Sequence, residues 1–222
     1  AAVILCSEEG LAKLEKASGR RIPRVKVEGI GRGTDAMRMS DRPHQSYEEF
    51  MDKNALPSER DNADTVKYYE ELWKRGFRYP GVHSFRAGRM ASRQAYQNAG
   101  IADPLHELDF VELHDAYTSS EIQTYEDMGL CRYGEGGAFG ASGKAFVPGI
   151  DYGLPLAEQP ICPVNPSGGL IACGHHVGAT GLMQGVFALW QLQGSIDKHF
   201  MDDRLQIKDA RREAWFTSSA PA

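Results

Sequence analysis

The segment Asn165-Pro-Ser-Gly-Gly-Leu-Ile-Ala-Cys-Gly-His-His-Val-Gly-Ala-Thr-Gly181 sets two glycine clusters around a histidine and runs straight into an apolar stretch, Leu182 to Leu192. Glycine permits backbone conformations and close approaches that any side chain forbids. Two such clusters around one histidine exceed what a plain turn requires, so the loop must lie tightly against other backbone or against a ligand. The apolar stretch predicts a buried helix from Ala179 to about Gln193. A histidine fixed ahead of it can exchange a proton near neutral pH or polarise a carbonyl oxygen. His175 is therefore the first candidate catalytic residue, with His176 as its lesser partner.

The remaining composition narrows the class. A chain of 222 residues is long enough for a substantial core and for one or two domains. A net charge of -5 gives no electrostatic case for nucleic acid or an anionic membrane as partner. No apolar run reaches the length of a membrane span, and no signal peptide opens the chain. Cys6, Cys131, Cys162 and Cys173 are widely spaced and form no Cys-x-x-Cys pair. That spacing argues against structural zinc and a disulfide framework, and it leads to the expectation of a reducing, cytoplasmic location.

Along the chain, Ala1 to Cys6 reads as a buried strand. Ser7-Glu8-Glu9 with Leu11, Leu14 and Ala17 predicts a capped helix ending at Gly19. Val25 and Val27 predict a short strand stopped by Gly29-Ile30-Gly31. From about Arg32 to Pro80 the chain turns polar, with a helix over Asp64 to Lys74 that brings Tyr68, Leu72 and Trp73 within reach of one another. A helix from about Ala87 to Asn98 closes at Gly100. Asp109 to Leu113 predicts a strand running into His114-Asp115-Ala116-Tyr117. Thr118 or Ser119 then caps a helix carrying Ile122, Tyr125 and Met128. Gly134 to Pro160 reads as glycine-rich loop, and Ala214 to Thr217 as a strand just beginning. A chain that begins and ends in strand is expected to be an internal piece of a longer polypeptide. Alternating strands and helices give an α/β class.

His114 closes a predicted strand, and ligands of open α/β sheets gather at strand ends. Both histidines can therefore face one pocket. Cys173, one residue before Gly174, reads as small apolar packing rather than as a nucleophile, and Cys131 reads likewise.

Glu112-Leu113-His114-Asp115-Ala116-Tyr117 resembles the Glu-x-His-Asp-Ala-Phe segment of thiolases of the sterol-carrier-protein-2 type. Asn165 through Gly174-His175 to Gly181 resembles the Asn-x-x-Gly-Gly…Gly-His-Pro-x-Gly-x-x-Gly loop of the thiolase superfamily. The opening Ala-Ala-Val, Ala95 to Gly100 and Gly129-Leu130-Cys131 add to the likeness. It implies a thiolase-like fold of two βαβαβαββ halves in five layers, α-β-α-β-α. Residues 1–33 would end the N-terminal half. Residues 34–83, unmatched by the family, would form a polar excursion acting as a cap or interface arm. Residues 84–222 would be the C-terminal domain, incomplete at its end.

The likeness also implies acyl transfer through a cysteine thioester, with the nucleophile upstream of Ala1 and coenzyme A as co-substrate. No permanent cofactor and no metal are expected. His175 would take the thiol proton and donate to the thioester oxygen. His114 would hold a water completing the oxyanion hole, and Asn165, Gly174 and His176 would support the loop. A homodimer or dimer of dimers is implied. Trp73, Phe77 and Tyr79 of the excursion could meet a small partner subunit. Arg32, Arg38 and Arg42 could meet coenzyme A phosphates, but they read as solvated surface.

Two departures from the family pattern bear on the reaction. His176 stands where the family has proline. The late Cys-x-Gly-Gly-Gly-type strand is missing from Trp215 to Pro221. Either it lies beyond Ala222, or Thr217, Ser218 or Ser219 replaces its cysteine. The alternatives are therefore a retro-aldol lyase on β-hydroxyacyl-CoA, with Tyr117, Tyr133 or Tyr152 as acid/base candidates, and a non-catalytic acyl-CoA-binding subunit.

Overall fold

The computed structural model describes residues 2–150, 152–153, 155–200, 203–208, 210–211 and 213–215. In chain order the helices and strands are α1 (Glu8–Ser18), α2 (Tyr47–Lys53), α3 (Pro57–Arg60), α4 (Ala63–Lys74), α5 (Arg86–Ala99), α6 (Pro104–Glu107), β1 (Phe110–Glu112), α7 (Thr118–Asp127), α8 (Gly136–Ser142), α9 (Gly169–Cys173), α10 (Thr180–Leu192), α11 (Ile196–Phe200) and β2 (Glu213–Trp215). β1 pairs in parallel with β2, Val111 opposite Ala214. On the other edge of β1, Val111 bridges Val164 in parallel. Among the described residues strand is scarce and helix dominates. No helix among them is long and apolar enough to cross a membrane.

Several expectations give way here. Ala2 to Cys6 is exposed and irregular, not a buried strand, with Ile4 at 86% exposure. Val25 to Val27 is irregular as well. Strand residues form strands only beside a partner, and neither segment has one among the described residues. The Gly134–Pro160 stretch contains α8, and the signature loop contains α9. Tyr117, not Thr118 or Ser119, is the N-cap of α7, and it gives no capping side chain. The Ser7 cap of α1 does form, with Ser7 Oγ accepting from Gly10 N at 3.1 Å, and Gly19 closes the helix in the left-handed region.

Residues 29–33 lie along α5. A β-carbon on Gly29, Gly31 or Gly33 would fall within 2.2 Å of the carbonyl oxygens of Ala95, Ala91 and Ala87 respectively. Glycine at every second position of the segment therefore matches alanine at every fourth position of the helix. Gln94 and Asn98 hold the segment in place. Gln94 Oε1 accepts from Arg32 N at 2.8 Å, and Asn98 Nδ2 donates to Ile30 O at 3.0 Å. Gly29-Ile30-Gly31 thus makes a packing contact and does not merely end a strand.

The polar-looking stretch 34–83 buries an aromatic core. Phe50, Tyr69, Tyr79 and Tyr133 are each 0% exposed, with Trp73 and Phe77 packed against them. The Phe50 ring lies 4.9 to 5.7 Å from those of Tyr69, Trp73, Tyr79 and Tyr133, distances at which aromatic pairs attract. Tyr79 is thus unavailable to a partner subunit, and Trp73 and Phe77 are engaged within the chain.

The opposite face of α5 carries Arg89, fully buried. Its guanidinium donates to Asn54 O at 2.9 Å and Glu126 O at 3.3 Å, and it pairs with Glu59. Glu59 also accepts from Leu56 N at 2.7 Å and from Tyr69 Oη at 2.8 Å. Asp127 completes the network. It accepts from Tyr133 Oη at 2.7 Å and from Phe85 N, at the start of α5, at 2.7 Å. Burial pushes its carboxyl up to about 8.

Removing one member of a buried pair strands the other. Arg89→Met is expected to cost about 3–5 kcal/mol in a urea-unfolding measurement. The double variant Arg89→Met, Glu59→Leu should recover much of that loss. Equal losses in the single and double variants would contradict the pairing.

Candidate active site

β1 ends at Glu112 because the peptide after it is claimed by side chains. Leu113 N donates to Asn165 Oδ1 at 2.8 Å, and Leu113 O accepts from Gln184 Nε2 of α10 at 2.5 Å. Leu113 itself is buried in the main core with Val111, Tyr125 and Met128. The chain turns away from the sheet at His114 with both backbone polar groups of Leu113 satisfied.

Asn165 is fixed from two sides. Its N–H donates to Val111 O at 2.7 Å, which continues the bridge to β1. Its φ of 49° lies in the left-handed region that asparagine tolerates better than most residues. Next to it, Ser167 gives its N–H and Oγ–H to the Glu112 carboxylate at 3.0 and 2.7 Å. Leu170 N donates to Asp115 Oδ1 at 2.8 Å, at the first turn of α9. Gly169 has φ 63°, and a β-carbon there would fall 2.2 Å from Asp115 Oδ2. Only glycine fits.

This scaffold brings His114 and His175 together. Their ring centroids are 4.9 Å apart at 83°, edge to face. His175 Nδ1 lies 2.9 Å from Thr180 Oγ1 at the start of α10. A hydroxyl can accept from Nδ1–H or donate to Nδ1, so one contact serves the ring both as a base and as an Nε2–H donor. His114 is half-buried, and its Nδ1 is enclosed without a hydrogen-bond partner among the described residues. Burial and the neighbouring His175 push its pKa down, against a pull upward from Asp115. The His114 ring is therefore neutral near pH 7.

Gly174, at φ 79° and ψ 160°, makes the turn that frees His175 from α9. His176 is exposed and contributes its carbonyl to Ala179 N at 3.2 Å. Cys173 donates weakly to Ser167 O at 3.6 Å, and burial together with Glu112 and Asp115 holds its thiol above the usual range. That is the opposite of an activated thiolate. Tyr133 is locked in the aromatic core, and Tyr152 Oη accepts from Val147 N at 3.1 Å. Tyr117 is 73% exposed and follows His114 by three residues. Thr217, Ser218 and Ser219 lie outside the described residues.

Sequence reasoning missed Glu112, Ser167, Gln184 and Thr180 as members of the site. Glu112 was legible only as part of a motif. Burial pushes its carboxyl up to about 7, against the Ser167 donors and with Asp115 adding to the rise.

A family profile described as thiolase C-terminal domain-like matches residues 78–212, more than half of the chain. The chain is 34% identical to sterol carrier protein 2 of Rattus norvegicus over 160 residues, covering 69% of this chain and 26% of that protein. It is 36% identical to an acetyl-CoA acetyltransferase of Methanocaldococcus jannaschii over 129 residues, 58% of this chain and 29% of that one. It is 38% identical to benzoylsuccinyl-CoA thiolase subunit BbsB of Thauera aromatica over 93 residues, 42% of this chain and 21% of that subunit. The matched region spans under a third of each relative.

Two measurements test the scaffold. Gly169→Ala should destabilise the chain by about 2 kcal/mol or more, from the left-handed backbone and the clash with Asp115. Glu112 holds its proton in the folded state between about pH 4.5 and about 7, where the unfolded chain has lost it. Its share of stability is therefore present at low pH and is lost as pH rises to about 7, by at most about 3 kcal/mol. Urea midpoints at pH 5 and pH 8 should differ less in Glu112→Gln than in the parent. An unchanged difference would show that Glu112 does not titrate in that window.

Proposed function

Because the chain belongs to the thiolase C-terminal domain family, we propose that it is part of a thiolase-type acyltransferase that cleaves or forms β-ketoacyl-CoA. The observation that carries this reading is the pair of imidazoles, His114 and His175, held 4.9 Å apart by a network of buried side chains.

Breaking a carbon–carbon bond next to a thioester leaves an enolate, whose charge sits on the thioester oxygen. Neutral imidazole N–H groups aimed at that oxygen stabilise the charge where it develops. His114 suits this role because its surroundings keep it neutral. An unmatched buried N–H is costly, so its proton belongs on Nε2 and its enclosed Nδ1 stays bare. His175 takes the second role, as the base for a thiol proton and then as a donor, with Thr180 Oγ1 reorienting to follow the proton. Coenzyme A is the acyl carrier and co-substrate.

The nucleophile is assigned outside these residues. Burial pushes the thiols of Cys131 and Cys162 up, the latter to about 12, and Cys173 is raised by burial and two carboxylates. The relatives' greater length is consistent with a cysteine supplied by another part of a longer polypeptide. In this reading residues 84–222 form the second half of a five-layered thiolase, and the whole works as a dimer or dimer of dimers. The BbsB relative is a benzoylsuccinyl-CoA thiolase subunit, which gives a partner chain a place in the assembly.

The test uses the complete protein with a β-ketoacyl-CoA. His175→Ala should lower kcat by about 10²–10³-fold, the usual cost of losing one such group. The parent protein should gain a thiol-labile acyl adduct in its intact mass. Near-normal turnover in His175→Ala would overturn the assignment. Release of an aldehyde or ketone without thiol consumption would replace acyl transfer with retro-aldol cleavage.

A further inference from the structure

Arg86, Met90, Arg93, Gln94 and Gln97 occupy positions i, i+4, i+7, i+8 and i+11 of α5, a single stripe of the helix. That stripe, Arg32 on the glycine segment, Gln45, and Lys53 with Asn54 at the end of α2 enclose a cavity of about 340 Å³. This is within the size range of small-molecule sites. Four cations line it and no carboxylate does. It shares no lining residue with the histidine site, and the inference does not rest on the acyl-transfer reading.

The four cations are unevenly compensated. Lys53 pairs with Glu49 at 2.8 Å, but among the described residues Arg32, Arg86 and Arg93 form no ion pair. The Arg93 guanidinium donates to the backbone carbonyls of Lys53 and Asp52, which fixes it at the rim. Arg86 Nε is enclosed with no hydrogen-bond partner among the described residues. Gln45 and Asn54 are joined by one hydrogen bond, Asn54 Nδ2 donating to Gln45 Oε1 at 2.6 Å. The first turn of α5 holds no acidic residue and its N-cap gives no side-chain bond, so the positive end of the helix dipole adds to the charge of Arg86. Three residues further on, Arg89 shows the contrasting case of a guanidinium buried with its own carboxylate.

Like charges converging on a cavity, with a buried donor left unmade, disfavour the empty state. A multiply charged oxyanion relieves both at once. Guanidinium forks match the planar spacing of phosphoryl oxygens. We propose that this cavity binds a phosphoryl-bearing anion, with Arg86 and Arg93 as its principal donors and Arg32 closing over it from the glycine segment. The phosphoryl group can belong to a free phosphorylated metabolite or to the phosphates of coenzyme A.

Isothermal titration of the full chain with inorganic pyrophosphate, at constant ionic strength in chloride, tests the site. Saturable one-site binding is expected. It should weaken about tenfold or more in Arg86→Gln and in Arg93→Gln, and stay unchanged in Arg20→Gln, an exposed arginine outside the cavity. Without ligand, Arg86→Gln should leave the melting temperature unchanged or raise it, since a repelling charge is removed; a purely structural arginine would lower it. Arg32→Gln, on an exposed side chain, keeps the test open if either helix variant folds poorly, and it too should weaken binding. Absence of saturable binding, or affinity equal to the parent's in all three cavity variants, would overturn the proposal. Competition by coenzyme A that is sensitive to the same variants assigns the site to its phosphates. Pyrophosphate binding that coenzyme A does not displace assigns it to a free phosphorylated ligand.

Discussion

A guanidinium removed entirely from water must find its partners in the protein, and Arg89 finds them in three separate stretches of chain. Glu59 neutralises it, Asn54 O and Glu126 O take its remaining donors, and the rings of Phe50 and Tyr133 lie 5.9 and 5.5 Å from its central carbon. Desolvating such a group costs several kcal/mol, recovered only when every partner is in place. The segment before α5 and the helix after β1 are thereby committed to one arrangement. Glu59 also orders Leu56 and Tyr69, and Asp127 ties Tyr133 to the start of α5. The aromatic core is built around these charges and depends on them.

The same helix, α7, joins this core to the histidines. Its far end supplies Glu126 and Asp127, and its near end follows His114-Asp115-Ala116-Tyr117. Between Glu112 and Asp115 three of the four residues have a separate tether. Glu112 holds Ser167, Leu113 is bound through its backbone to Asn165 and Gln184, and Asp115 holds Leu170. His114, the remaining member, has its Nδ1 enclosed without a hydrogen-bond partner among the described residues. The glycine-flanked loop is thus positioned by carboxylates under it and is not free to move alone. This accounts for two acids buried so close to a pair of imidazoles.

How much of this the sequence disclosed varied with the kind of signal. His114 and His175 could be paired before any coordinates because their residue types and flanking glycines are chemically unusual. α1, α5 and α10 were legible from caps and apolar spacing, and α4 from its aromatic positions. The helix α2 was not, since Tyr47 to Lys53 is mostly charged and buries only Phe50. Glu59 and Arg89 carry no local mark of burial, because their pairing spans thirty residues and exists only in three dimensions. Ala2 to Cys6 erred in the other direction, since its residues suit a strand but have no described neighbour to pair with. The glycines at 29, 31 and 33 did have a readable counterpart in the alanines at 87, 91, 95 and 99. Recognising it requires comparing a period of two with a period of four across distant segments.

That comparison of periods limits the contact itself. Two residues of extended chain advance about 6.6 Å, whereas four residues of helix advance about 6.0 Å. The glycine segment and α5 therefore behave like the two scales of a vernier, slipping by about 0.6 Å at each repeat. Three glycines stay in step with three alanines, but a longer run would drift until glycine met side chain instead of carbonyl. A shift by one repeat toward the start of α5 would set Gly33 opposite His83, with no alanine to meet it. Arg32, carried between the second and third glycines, is held beside the helix at Gln94, whose Oε1 accepts from its N–H.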